Sequence, residues 1–433
     1  MQGRENVTVP FSILPRNRRH GSTILFLGVL AAGLLMLAVM GWVDGFTALR
    51  VPAMSPAFAD VRTIPGAWQA IAAGLDPRID NPGDPWARPF NYPDIWLFLF
   101  KPLAVIGDPA LVFGIVQAVM LAAVGAAFAR RRHGWLAFLV FFSPPALLLM
   151  ERGNTDGVVM LLTLFALWRG ALAGGAALGL AVALKVFPLF GIAAALLHPT
   201  WRRVLAGLVV AGPLAVWSLM QARAMVAVTP GAYSTAFGLR SVSLLFLTGD
   251  SPLFLPGAPK WVVRVLVTVV FAGGAFLTWR LLRAAYETLA AAVLAGEPGQ
   301  RAVTLGFLGI FLAVFLLGSN FAYRLVVIAP ILWGLAPLAG ARRGGLLAAA
   351  ILGVGVLALY APWVPNGWTP LDGWTLLNPL TFLFAVITAP LAVAAVIQAT
   401  PEPFRHRAVL MCRLVRRYYR SVRIGPYSTG TQA

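Results

Sequence analysis

The stretch ALAGGAALGLAVALKVFPLFGIAAALLH (171–198) decides the fold. As one apolar helix it crosses a membrane once, strands Arg202 and Arg203 on the far side and inverts every later segment. As two pieces, 171–184 and 187–198, it crosses twice and turns at Lys185-Val186-Phe187-Pro188. A proline near the first turn of a helix sacrifices no helical partner, so Pro188 suits the start of a second piece. The split also keeps the cations of successive polar gaps alternating between the two sides, and it is the reading adopted.

Outward from that stretch, the rest of the chain reads the same way. Of 433 residues, 59% are hydrophobic and only 11% charged, too little charge to cover a soluble domain of this size. The fold class expected is an all-α polytopic membrane protein with about 12 transmembrane helices. The spans fall at 23–43, 110–129, 134–150, 157–168, 171–184, 187–198, 204–222, 261–282, 302–319, 325–339, 344–360 and 378–398. Arg16, Arg18 and Arg19 precede the first run and an Ala57-Phe58-Ala59 triplet follows it, as around a signal peptide. The run itself has the length of a spanning helix, and the triplet lies well beyond its end, so an uncleaved first helix is expected.

The net charge of +19 suggests nucleic acid only in a soluble protein; here the basic residues sit in short gaps between apolar runs, and no nucleic-acid partner is expected. The gaps on one side hold 22 of the 34 Lys and Arg, which makes that side cytoplasmic and puts both termini there. Of the 15 acids, 11 fall on the other side, an asymmetry that orientation alone does not require. The organisation expected is a basic N-terminus (1–22), a membrane domain (23–400) whose first extracytoplasmic loop runs over 44–109, and a basic tail (401–433) on the anionic inner leaflet. Within the loop, 92–107 is too short and too rich in proline to span, and reads as an interfacial element with Trp96 and Lys101 at headgroup depth. The single cysteine, Cys412, allows neither an intrachain disulfide nor a cysteine metal site.

The costly residues gather on the outer side. They are Asp60 and Arg62 in the first loop, Glu151, Arg152, Asn154 and Asp156 between the third and fourth spans, Lys185, and Asn320, Tyr323 and Arg324 between the ninth and tenth. An ionisable group at membrane depth costs a few kcal/mol and needs a partner or water. A proton relay would scatter acids through mid-span positions, and these are nearly absent. MERGNTDG (150–157) also reads as a plain turn, with Gly153 bending the chain, Asp156 capping the next helix and Glu151 pairing with Arg152. Against that, Arg152 and Lys185 are cations on apolar hairpins that topology does not demand, and such cations hold phosphate at a membrane surface.

ERGNTD (151–156), the helix ending ALKVFPLF (183–190) and the basic gap after it resemble the polyprenol-phosphate-dependent family 87 glycosyltransferases. The first loop is similar too, with Asp60, GAWQAIAAGLDP (66–77) and FNYPDIWLFLFKPL (90–103), as is SNFAYRLVVIAP (319–330). The order of these short motifs carries the resemblance over most of 23–340. Arg78 stands where an aromatic is usual, and Asp94 where a second proline is usual.

The resemblance implies the C-type glycosyltransferase fold, with a hydrophilic cavity at the extracytoplasmic surface. It implies a polyprenyl-phosphate sugar as donor substrate, no cofactor and no metal. The family's best-known activity is mannosyl transfer to phosphatidylinositol mannosides, as in the mycobacterial mannosyltransferase. In this fold an Asp of the first external loop is the base; Asp60 matches that place best and Asp44 is its competitor. Lys185, Arg152 and Arg324 are then expected to bind donor phosphate. Arg62, Glu151, Asn154, Asp156, Tyr92, Asn320 and Tyr323 are expected to contact sugar or acceptor. The partners implied are membrane lipids and a glycolipid or cell-envelope glycan acceptor, at the inner membrane of a bacterium. A carrier that moves a lipid-linked sugar without chemistry is the competing class; it predicts polar groups on both faces and related halves. Asp60 and Lys185 facing one cleft is the arrangement the enzyme reading requires.

Overall fold

A computed structural model of the chain describes residues 18–400 apart from 132, 230, 343, 366, 367, 369 and 370. The basic stretch before residue 18, the tail 401–433 and Cys412 lie outside the described residues. The chain is almost wholly helical. In order come α1 (Arg18–Met40), α2 (Trp42–Ala48), α3 (Ala59–Ala72), α4 (Ile95–Phe100), α5 (Pro109–Ala129), α6 (Gly134–Phe141), α7 (Pro144–Arg152), α8 (Asp156–Arg169) and α9 (Leu172–Leu184). They are followed by α10 (Ile192–Ala195), α11 (Trp201–Val228), α12 (Leu239–Leu247), α13 (Lys260–Ala295), α14 (Pro298–Leu317), α15 (Ile328–Leu335), α16 (Gly345–Tyr360) and α17 (Gly373–Ala399). Two short strands, β1 (Ala236–Phe237) and β2 (Asn320–Phe321), pair antiparallel and tie the loop before α12 to the end of α14.

Among the described residues, 7 helices are long and apolar enough to cross a membrane, or 8 if α6 and α7 form one broken span bent by 56°. The protein is therefore an integral membrane protein, and the expected twelve spans reduce to that smaller set. The bend lies at Ser143-Pro144-Pro145, where the first proline has no N–H to continue α6. Segments 157–168 and 171–184 form α8 and α9, of 14 and 13 residues. At 1.5 Å per residue these reach roughly 20 Å, short of a hydrocarbon layer about 30 Å thick. Segment 187–198 is a 3-10 turn (Phe187–Gly191) followed by α10, and 325–339 is α15 between two 3-10 turns.

The deciding stretch does break at Lys185. Lys185 is extended (φ −157°, ψ 141°) and the chain re-enters a 3-10 turn at Phe187-Pro188. The glycines of 171–184 explain why α9 is a helix of its own: they let it lie backbone to backbone on α11. A Cβ on Gly175 would stand 2.0 Å from Val204 O, and one on Gly207 2.2 Å from Leu172 O. Small residues four apart are the usual means of such close packing between membrane helices.

The helix ends away from the first loop are also drawn together. Arg301 Nη2 donates to Leu197 O at 2.9 Å, and the Trp333 ring packs on Phe128 and Trp168. Arg130, Arg131, Arg169 and Arg301 thus end at one pole, with the first loop at the other. The interfacial placement of Trp96 is corrected. It is 2% exposed and donates to Leu184 O at 2.9 Å, because α4 packs its indole inward against the end of α9. Lys101 is exposed, as are Phe98 and Leu99 on the outer side of the same element.

Candidate functional site

The loop-side pole holds a connected set of polar side chains from four parts of the chain. Asp60 stands in the first turn of α3, where a carboxylate is favoured by the helix dipole. Its neighbours at three-residue steps, Thr63 and Gly66, share its face. The loop 81–88 lies along that face: a Cβ on Gly66 would stand 2.6 Å from Asp84 N and 2.7 Å from Gly83 C. Glycine at 66 is what lets the loop come close enough for Arg88 to reach Asp60.

Asn154 is the junction. Gly153 closes α7 with φ +57°, a left-handed turn that glycine adopts without strain, and the chain then starts α8 at Asp156. Asn154 Nδ2 donates to Asp60 Oδ2 at 2.7 Å, and its Oδ1 accepts from Lys185 Nζ at 3.1 Å and from Asp156 N at 3.0 Å. Lys185 also pairs with Asp156 Oδ1, while Asp156 Oδ2 accepts from Arg324 Nε at 2.7 Å. Arg324 in turn bonds Asn320 Oδ1. Asp156 is 2% exposed, Lys185 14% and Arg324 20%, so the two cations are accessible where their counter-ion is not.

Tyr92 lies under this set. Its ring is 4.9 Å from Lys185 Nζ, and its hydroxyl is 3.5 Å from both Asn154 Nδ2 and the Asp60 carbonyl. Burial, reinforced by the Asp60 and Asp156 charges, pushes that hydroxyl well above the ordinary tyrosine range and keeps it a neutral donor. Tyr323 is buried beside Arg324 and stacks on Phe321 at 5.8 Å.

Three expected site residues point elsewhere. Arg62 donates to Ala57 O at 2.7 Å and pairs with Asp108, which caps α5, at 2.9 Å. Glu151 is fully buried and accepts from Met54 N at 2.8 Å. Arg152 pairs with Glu151 at 3.0 Å and donates to Pro52 O at 3.1 Å. All three pin the start of the first loop to the bundle. Asp44, the competitor for Asp60, is exposed in the first turn of α2.

Sequence analysis marked neither Arg88 nor Asp84 as a site residue. Asp84 Oδ1 accepts from Trp86 N, as a loop cap does, but the carboxylate is also gripped by Arg88 Nε at 3.1 Å and Nη2 at 2.9 Å. Arg88 Nη1 reaches Asp60 Oδ1 at 3.1 Å. Burial alone would raise Asp84; its hydrogen bonds and ion pair with Arg88 outweigh that and hold it below the usual carboxylate value. No local pattern marks Arg88, since Asp60 lies 28 positions away.

An apolar cleft lies among α5, α6, α7, α8 and α15, lined by Leu121, Phe141, Leu149, Met150, Leu164 and Val326 among others. Leu149 and Met150 directly precede Glu151, and Val326 follows Arg324 by two positions, so this wall continues the elements that carry the charged set.

No curated protein and no solved structure matches the chain. Residues 90–297 match the model of glycosyltransferase family 87. The match contains Tyr92, Asn154, Asp156 and Lys185, whereas Asp60 and Arg324 lie outside it and join them through the fold. That family is one of membrane glycosyltransferases of the C-type fold, in keeping with a helical chain that has several candidate spans. Over residues 90–297 the chain carries a glycosyltransferase family 87 domain.

Proposed function

We propose that the chain is an inverting glycosyltransferase that moves a hexose, with mannose the expected sugar, from a polyprenyl-phosphate donor to a lipid or cell-envelope glycan. The observation that carries this reading is the double engagement of Asn154, with Asp60 at 2.7 Å and Lys185 at 3.1 Å. A carboxylate and a pair of cations stand on either side of one amide, and Asp60, Lys185 and Arg324 each keep part of the side chain exposed.

In the proposed reaction the acceptor hydroxyl oxygen attacks the anomeric carbon as the bond from that carbon to the phosphate oxygen breaks. Asp60 takes the hydroxyl proton, and the polyprenyl phosphate leaves with the bonding pair. A single displacement with attack opposite the leaving group inverts the anomeric configuration. Lys185 and Arg324 neutralise the phosphate charge that grows at the leaving oxygen. The apolar cleft, which Val326 helps line two positions after Arg324, supports a donor whose phosphate carries a long hydrocarbon.

Orientation follows from charge. The pole bearing Arg130, Arg131, Arg169 and Arg301 is read as cytoplasmic, which makes the Asp60 pole extracytoplasmic in a bacterial inner membrane. Replacing Asp60 by Asn keeps the side chain's shape and one acceptor oxygen, gives up one of the two hydrogen bonds it accepts from Asn154 and Arg88, and removes the base. Transfer from a polyprenyl-phosphate mannose panel, read by mass spectrometry on purified protein, should disappear while donor binding persists. Turnover at the parent rate by Asp60→Asn would overturn the assignment.

A further inference from the structure

Asp60 has both carboxylate oxygens committed, each to a different part of the chain. Oδ2 accepts from Asn154, and Oδ1 accepts from Arg88 Nη1. The plane of the carboxylate is thereby fixed, because turning it breaks both bonds. Asn154 belongs to the α7–α8 junction and is held in its own right by Lys185 and Asp156 N. Arg88 belongs to a surface loop, and its grip on Asp60 is only as good as whatever holds Arg88.

That support is Asp84. Arg88 Nε and Nη2 form a two-pronged pair with the Asp84 oxygens, at 3.1 and 2.9 Å, while Nη2 also bonds Ala59 O. A fork of this kind fixes the guanidinium in plane as well as in position. Asp84 is itself saturated, by Thr63 Oγ1 at 2.8 Å and Trp86 N at 2.9 Å. Asn81 Nδ2 ties the loop down twice more, to Thr63 O and Arg88 O. The Trp86 ring, 4.7 Å from Arg88 Cζ, covers one face of the guanidinium. Only Nη1 is left to face outward, and it faces Asp60. A tether for the loop alone would not need that last contact, since Asp84, Thr63 and Asn81 already complete it.

We propose that Arg88 is a positioning residue for Asp60, fixed by Asp84, and that it sets the direction in which the carboxylate receives the acceptor proton. This rests on Asp60 being the base. The role belongs to the chemical step: a misaligned base slows proton removal and leaves donor and acceptor binding largely in place.

The test uses the full-length protein in detergent or nanodiscs, with polyprenyl-phosphate mannose as donor and crude envelope lipid as acceptor. Arg88→Ala should lower kcat on the order of 10²-fold, with both KM values within about threefold of the parent. Guanidinium ion at millimolar concentration should restore at least about tenfold of that loss, because the vacated space matches the lost group. Asp84→Asn, which keeps the shape and the Trp86 and Thr63 contacts, should lower kcat roughly tenfold with the same split. A parent-like kcat in Arg88→Ala, a loss confined to KM, or no response to guanidinium overturns the proposal. Should Arg88→Ala fail to fold, Asp84→Asn decides, and an unchanged kcat there overturns it. Asp60→Asn separates the two levels. Active Asp60→Asn sinks the base assignment, whereas inactive Asp60→Asn with normal Arg88 and Asp84 variants sinks only this inference.

Discussion

Asp156 is the point where the site is most exposed to electrostatic failure. Its two oxygens contact Lys185 and Arg324, one each, and it is 2% exposed. Asp156→Ala leaves two cations beside each other with no carboxylate in contact. Removing one member of a buried ion pair costs about 3–5 kcal/mol, most of it the penalty on the charge left behind. The loss is not doubled here, since Lys185 keeps Asn154 Oδ1 and Arg324 keeps Asn320 Oδ1, and both cations reach the surface of the site. The expected destabilisation is therefore about 3–5 kcal/mol in all, with Asp156→Asn in between because the amide preserves shape and one acceptor.

The same arithmetic gives a functional signature. If the two cations form an anion site, then inorganic phosphate or pyrophosphate replaces the missing charge and stabilises the Asp156→Ala protein more than the parent. Fluorescence-detected thermal unfolding of detergent-purified protein, at matched ionic strength with chloride as control, reads both effects. An Asp156→Ala protein that unfolds at the parent temperature refutes the counter-ion argument. Equal stabilisation of both proteins by phosphate refutes the anion site.

Gly66→Ala drives a Cβ to 2.6 Å from Asp84 N, against backbone that cannot rotate away, and should cost about 1–3 kcal/mol and most of the transfer rate. Gly45→Ala is its control, because the new Cβ meets only the flexible end of Leu37, and parent-like transfer by both variants would refute the close-approach argument. Arg88 and the hydrogen bonds to Asp84 hold its carboxyl below the ordinary aspartate value of 3.8, so its contribution to stability is complete above that pH and is lost as pH falls through the lower, folded value. Unfolding temperature measured down to about pH 3 should fall less steeply in Asp84→Asn than in the parent, and parallel curves would refute that contribution.

The parts of this fold that sequence made legible are those written in one dimension. The run 110–129 is α5 almost to the residue, and 171–184 is α9, because a proline after Asp108 and an extended Lys185 end them chemically. The gathering of Asp60, Asn154, Lys185 and Arg324 was foreshadowed by their shared side of the hydropathy pattern. What stayed hidden depends on partners distant in the chain. Trp96 reads as an interfacial anchor until its bond to Leu184 O, 88 positions away, shows it buried. Glu151 and Arg152 look like outward-facing ligands, yet their partners Met54 and Pro52 lie about a hundred residues earlier in the first loop. The bend in 134–150 was readable from Ser143-Pro144-Pro145, and hydropathy alone smoothed over it.

The same geometry explains how so many charges are tolerated in a membrane protein with this composition. They form two ion networks. In one, Arg88 joins Asp60 and Asp84; in the other, Asp156 joins Lys185 and Arg324. Taken together, the carboxylates of Asp60, Asp84 and Asp156 balance the cations of Arg88, Lys185 and Arg324, so the cluster carries no net charge to desolvate. Between the networks stands a neutral amide. Asn154 turns its nitrogen to Asp60 and its oxygen to Lys185, and the reverse orientation would set oxygen against carboxylate and nitrogen against ammonium. The arrangement keeps Lys185 from pairing with Asp60 directly. Asp60 is held instead by an amide and one guanidinium nitrogen, and its oxygens keep lone pairs for a third partner. On the proposed reading, one uncharged side chain fixed at both ends thus separates the base from the cations that hold the phosphate.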